Sequence, residues 1–180
     1  KNFFEIMKLF YDNNKVRKLH LPTNGYAKKK IRDDTTRMLN ELPKLEINIG
    51  ISLDALYEKH DLISQKIGAF EKAIETQDML IDLEKKYKNL STRFYTVLSN
   101  DNIEETEKLF EFIVKRYGYE KIGFSPLRGD PANPSLKPPT PLEWEKMFKM
   151  YKKFVKSNPL NFKQFLLNRK TKNLYEINKR

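Results

Sequence analysis

An alternation of short β-rich runs with longer helical patterns, repeated four times, constrains this chain more than any other feature. The first run, over 17–22, carries Leu19 and Leu21 beside Val16 and ends at Pro22 and Gly25. The second, over 45–53, alternates Ile47, Ile49 and Ile51 with Asn48 and Gly50, the period of a half-buried strand. The third, over 92–98, is aromatic and β-branched, and the fourth, over 121–126, contains Ile122 and Phe124.

The stretches between them carry apolar residues at helical spacing. Phe3, Phe4, Met7 and Phe10 share one face of a first helix that stops near Asp12-Asn13-Asn14. Ile31, Thr35, Met38, Leu39 and Leu42 mark a second, ended by Pro43. Phe70, Ile74, Met79, Leu80 and Leu83 mark a long third. Asn102 is expected to cap a fourth, with Ile103, Leu109, Phe110, Ile113 and Tyr117 as its stripe and Gly118 as its stop. A fifth begins near Pro141 and includes Trp144, Phe148, Tyr151 and Phe154.

Strand followed by helix, again and again, predicts an α/β fold with a parallel sheet and crossover helices. A closed eight-unit barrel takes roughly 200 residues or more. The 180 residues here therefore predict a partial parallel (β/α) barrel of about four strand–helix units, or an open sheet. Opening on a helix predicts an earlier strand upstream. Residues 1–157 are expected to form this core, and 158–180 a helical, polar carboxyl-terminal extension. The Pro-rich stretch 128–141 reads as an ordered extended loop, since helix-forming sequence follows at once.

Composition narrows the function. Twelve Phe and nine Tyr supply a core although charged residues reach 33%. The sequence has neither a run of ~18 apolar residues nor a secretory signal, so a soluble, cytoplasmic protein without a membrane partner is expected. The net charge of +11 is spread among acidic neighbours. Its one tight run, Lys28-Lys29-Lys30, reads as an exposed helical turn, and nucleic acid is not expected as a partner. The absence of Cys excludes disulfides, thiolate metal sites and a Cys nucleophile within these residues. No Gly-rich phosphate loop follows any strand, which argues against a nucleotide-handling enzyme.

In parallel α/β folds ligands bind at the carboxyl ends of the strands. Those ends read Thr23-Asn24-Gly25, Ser52-Leu53-Asp54, Thr96-Val97-Leu98-Ser99-Asn100 and Ser125-Pro126-Leu127-Arg128-Gly129-Asp130. All four are polar, as a site for a partly charged small molecule requires. Each also has a plainer reading. Thr23-Asn24-Gly25 is an ordinary turn, Ser52 and Asp54 are helix caps, His60-Asp61 is a surface pair, and Arg128 and Asp130 are an ion pair across their loop.

Taken in order, Asn24-Gly25, Ile51-Ser52-Leu53-Asp54, His60-Asp61, Gly68-Ala69-Phe70, Thr96-Val97-Leu98 and Phe124-Ser125-Pro126 resemble the radical SAM superfamily. The branch most alike is the one that modifies peptides and small molecules and often carries an auxiliary-cluster, SPASM-type domain. The similarity spans roughly residues 15–155. It implies part of a (β/α)6 barrel that binds S-adenosylmethionine at the strand ends. In such enzymes a [4Fe–4S] cluster cleaves that cofactor reductively, and the 5′-deoxyadenosyl radical takes hydrogen from a peptide or small-molecule substrate.

Carried over by position, Thr23 and Asn24 face the methionyl end, and Ser52 and Asp54 approach the methionyl or ribose portion. Thr96 would lie under the ribose, and the backbone around 124–127, with Ser125 and Leu127 as its cofactor-binding residues, would flank the adenine. Arg128, Asp130 and His60 shape the pocket mouth or touch substrate. The family's CxxxCxxC loop and Gly-Gly-Glu-type motif are absent, so the cluster is expected only in a longer protein. Ile63-Ser64-Gln65 stands where the family usually has Ile-Arg-Gly, and Tyr95 where it often has Asn. These departures leave a second expectation, a cluster-less, non-catalytic α/β binding module related to that family.

Overall fold

The computed structural model describes residues 3–156. The extension expected over 158–180 lies outside them. Helix α1 (Phe3–Asn13) precedes strand β1 (Lys18–Thr23), and α2 (Lys28–Glu41) leads to β2 (Glu46–Ser52). Two helices follow, α3 (Tyr57–Ser64) and α4 (Ala69–Lys86), before β3 (Leu90–Leu98). Helix α5 (Thr106–Tyr117), strand β4 (Ile122–Pro126) and helix α6 (Pro141–Lys156) complete the order.

The four strands form one sheet in the order β1-β2-β3-β4, and every neighbouring pair is parallel. Strand order equal to chain order has a consequence. With connections of one hand, each crossover helix falls on the same side of the sheet, and no reversal point arises. Burial agrees. Leu19 and Leu21 of β1 pack against the core; Ile47, Ile49 and Ile51 of β2, Phe94 and Leu98 of β3 and Ile122 of β4 lie within it. On the alternate positions Lys18, His20 and Pro22 are exposed, and Asn48, Ser52, Arg93, Tyr95 and Ser125 are half-buried. One face of the sheet thus carries the core and the other is open among the described residues.

Each expected strand is present, and each expected helix forms within a few residues of its predicted bounds. Helix α3 is the addition. It has eight residues, and His60 is its one buried side chain, so it lacks an apolar stripe to announce it. Asn102 is the second difference. It precedes a short 3-10 turn, Ile103–Glu105, and its side chain makes no cap hydrogen bond to it. The long α4 lies along β3 through a buried polar row: Gln77 Nε2 donates to Thr92 Oγ1, Thr92 Oγ1 to Glu84 Oε2, and Lys121 Nζ pairs with Glu84.

Candidate functional site

The site is built where the strands end. Because all four run parallel, Thr23, Ser52, Leu98 and Pro126 close their strands at one edge of the sheet.

After β1 the chain turns sharply onto α4. Gly25 has φ +74°, and a Cβ there would stand 2.9 Å from the Cα of Ala73. The Thr76 hydroxyl donates to the Gly25 carbonyl, fastening the turn to the helix. Thr23 Oγ1 accepts from the Gly25 amide at 3.2 Å and Asn24 Oδ1 from the Tyr26 amide at 3.1 Å. Both side chains of this pair shape the turn, the plainer role its sequence allows. Lys66, in the loop after α3, lies over the Tyr26 ring, 3.4 Å from its centroid.

The ends of β2 and β3 are organised differently. Their last Cα pair is Ser52 with Tyr95, and the Leu53 amide donates to the Tyr95 carbonyl at 3.1 Å. Beyond that point side chains replace the backbone ladder. The Thr96 hydroxyl donates to the Leu53 carbonyl at 2.7 Å, and the Val97 amide donates to Asp54 Oδ1 at 2.7 Å. Burial pushes the Asp54 carboxyl up to about 6, against the opposing pull of the Val97 amide. No cation forms an ion pair with Asp54 among the described residues. Asp54 does not cap the next helix, whose N-cap position is Leu56.

His60 and Asp61 are structural rather than a surface pair. His60 is 3% exposed, and its Nδ1 accepts from the Asp54 amide at 3.2 Å, so the proton sits on Nε2. Burial lowers its pKa and keeps the ring neutral. His60 therefore lies beneath the loop, not at a pocket mouth. Asp61 accepts from the amides of Gly68 and Phe70 at 2.6 and 2.9 Å and caps α4 from the preceding helix. Those amide bonds hold its carboxyl below the usual range.

Thr96 is fully buried and faces the core, so its hydroxyl is spent on Leu53. Ser52, Tyr95, Val97 and Ser125 occupy the open face at the same edge, with Val97 opposite Ser125 and Tyr95 opposite Gly123. The lack of a side chain at Gly123 makes room for Tyr95, whose ring atoms would come within 2.8 Å of a Cβ there. Leu127 prolongs the β3–β4 contact, its amide donating to the Leu98 carbonyl at 2.8 Å. Arg128 and Asp130 are exposed and make no ion pair with each other among the described residues.

Two features escaped the sequence reading. Deeper on the open face His20 Nδ1 bonds Asn48 Oδ1 at 2.7 Å, and Asn48 Nδ2 donates to Ser91 Oγ at 2.7 Å, linking three strands. At the strand ends Asn102, 2% exposed, accepts from the Ser99 amide at 2.9 Å. Its Nδ2 donates to the carbonyls of Asp54 and Val97 at 3.0 and 2.9 Å. The spacing Ser99-x-x-Asn102 was the available signal for a local side-chain turn. The reach to Asp54, 48 residues away, had none.

No protein-family model matches the chain, and no curated protein matches it. Among the described residues no helix is long and apolar enough to cross a membrane, and no group of three His, Cys, Asp or Glu is placed to hold a metal ion.

Proposed function

We propose that this chain is the S-adenosylmethionine-binding portion of a radical SAM enzyme, built as part of a (β/α)6 barrel wall and inactive by itself. One observation carries the reading. Thr23-Asn24, Ser52-Leu53-Asp54, Thr96-Val97 and Ser125-Pro126-Leu127 follow the family's order and stand on four successive parallel strands at a single edge. A sheet with helices on one side and strand order equal to chain order is what a barrel wall requires, and the polar open face leaves room for a polar ligand.

The donor set suits a zwitterionic nucleoside cofactor. Asp54 offers a carboxylate with no cation paired to it among the described residues, suited to a positive centre of the ligand. Ser52 and Ser125 bring hydroxyls to the open face, and the Tyr95 ring adds a flat apolar surface beside them. In the family the bound cofactor supplies a carbon-centred radical once an iron–sulfur cluster has reduced it. The cluster does not fit these residues. Three thiolates are needed and the sequence has no Cys, so they must come from outside these residues.

Calorimetric titration of the chain with S-adenosylmethionine and, separately, with ATP tests the reading. Saturable one-to-one binding of S-adenosylmethionine, weakened in Asp54→Asn, is expected. Failure to bind it, or equal binding of ATP, overturns the proposal. The cluster-less module is the second reading, favoured by Ser64 and Tyr95 at the departing positions. It is distinguished by S-adenosylmethionine binding in a protein whose gene encodes no cysteine-bearing cluster segment.

A further inference from the structure

Asn102 and Asp54 meet where β2 and β3 part. Up to Ser52 and Tyr95 the two strands are joined by backbone bonds. Past the Leu53 amide, which still donates to the Tyr95 carbonyl, the Leu53 carbonyl and the backbone groups of Asp54 and Val97 bond to side chains instead. Two carbonyls, Asp54 O and Val97 O, would stand without donors in the opening. The Asn102 amide serves both, and its oxygen holds the Ser99 amide at the same time. Val97 is thereby gripped at both polar groups, its N–H by Asp54 and its C=O by Asn102.

Few residues could do this. The task needs two donors and one acceptor on a short planar group, which only Asn supplies at this length. Asp would set lone pairs against two carbonyls, and Leu would leave three polar groups unmet in a buried place. The arrangement also settles how Asp54 is used. One carboxylate oxygen takes the ladder position on Val97, and the other has no hydrogen-bond partner among the described residues.

Resting on the functional reading above, we infer that Asn102 is the positioning residue of the strand-end site. It wedges β2 and β3 apart so that Asp54 presents its free oxygen to the positively charged end of the cofactor. The titratable and charged groups around Asp54 leave that role to it. His60 is neutral on the Asp54 amide, Asp61 is turned to the start of α4, and Lys59 pairs with Glu105 at 3.4 Å.

The test uses Asn102→Ala, Asn102→Ser and, as a control of general destabilisation, Ile113→Val in the core under α5. Two quantities are read: the Asp54 carboxyl titration by 13C NMR without ligand, and the S-adenosylmethionine affinity by calorimetry. Both Asn102 variants are expected to drop the Asp54 midpoint from about 6 toward the ordinary carboxylate range as water enters the split. They are also expected to weaken binding about tenfold or more, the scale of one lost charge-assisted contact. Ile113→Val should move neither quantity. An unchanged Asp54 midpoint in a folded Asn102 variant overturns the inference, as does unchanged affinity. If Asn102→Ala does not fold, Asn102→Ser is read in its place. A wild-type chain that binds no S-adenosylmethionine overturns the functional reading instead, and the ligand-free titration still decides the positioning role.

Discussion

The two faces of the sheet differ in what holds them. The helix-covered face is apolar: Ile47, Ile49, Ile51, Phe94 and Leu98 are all at most 2% exposed. Fully burying each such side chain contributes roughly 1.5–3 kcal/mol. The open face is held by directional bonds through His20, Asn48 and Ser91, with the Tyr95 ring close to Gly123. Exposed hydrogen bonds are exchanged for bonds to water at little net cost, about 0.5–1.5 kcal/mol each. Stability therefore resides mainly on the covered face, and the other face is left with side chains that the core does not need.

That contrast is sharpest at neighbouring positions. Phe94→Ala on the covered face is expected to cost about 3–5 kcal/mol in urea unfolding. Tyr95→Ala, one residue on, should cost about 1–1.5 kcal/mol, since its ring is only half-buried. Comparable losses at the two sites would break the comparison.

Gly25→Ala comes next. It forces a side chain into a left-handed turn and against the Ala73 backbone, so a loss of about 2 kcal/mol is expected, with α4 losing amide-exchange protection first. Little change would show that the β1 turn is not fastened to α4.

Asp61→Asn should lower the thermal midpoint less than Gly25→Ala. Its carboxyl is held below the usual range, so its contribution is present above the unfolded value of 3.8 and lost as pH falls through the folded value. The variant should fall behind wild type at pH 7 and approach it as pH falls through the folded midpoint. A constant difference at all pH values would remove the charge from the cap.

The last effect has the opposite sign. The Asp54 carboxyl is raised from 3.8 to about 6, so the folded state binds its proton more tightly than the unfolded state does. Its penalty is absent below pH 3.8 and grows as pH rises toward 6. Asp54→Asn should therefore gain on wild type across that window in pH-dependent melts, and a flat difference would mean that the carboxyl is not buried. His60, neutral when folded, adds a contribution that fades as pH falls below 6.5.

Much of the fold was legible because local pattern and tertiary burial agree. The alternation of Ile47, Ile49 and Ile51 with Asn48 and Gly50 named both the strand and its inward face before any neighbour was known. Pro43 and Gly118 ended their helices for steric reasons that act within a few residues. Helix α3 was not legible, because a helix with one buried residue takes its place from the connections on either side. At the candidate site the residue types were readable but their duties were not. Thr23, Asn24, His60 and Thr96 look like ligand groups in sequence, yet each spends hydrogen-bonding capacity on the chain itself.

The sequence by itself determined four strand–helix units with polar strand ends, since hydrophobic period and turn chemistry are properties of neighbouring residues. The tertiary structure decided which face stayed open and how β2 and β3 part. It also decided that Asn102 would hold that parting over 48 residues of chain. The reason is physical. A hydrogen bond between distant residues depends on where the packing of other residues brings them, and no local pattern records that distance.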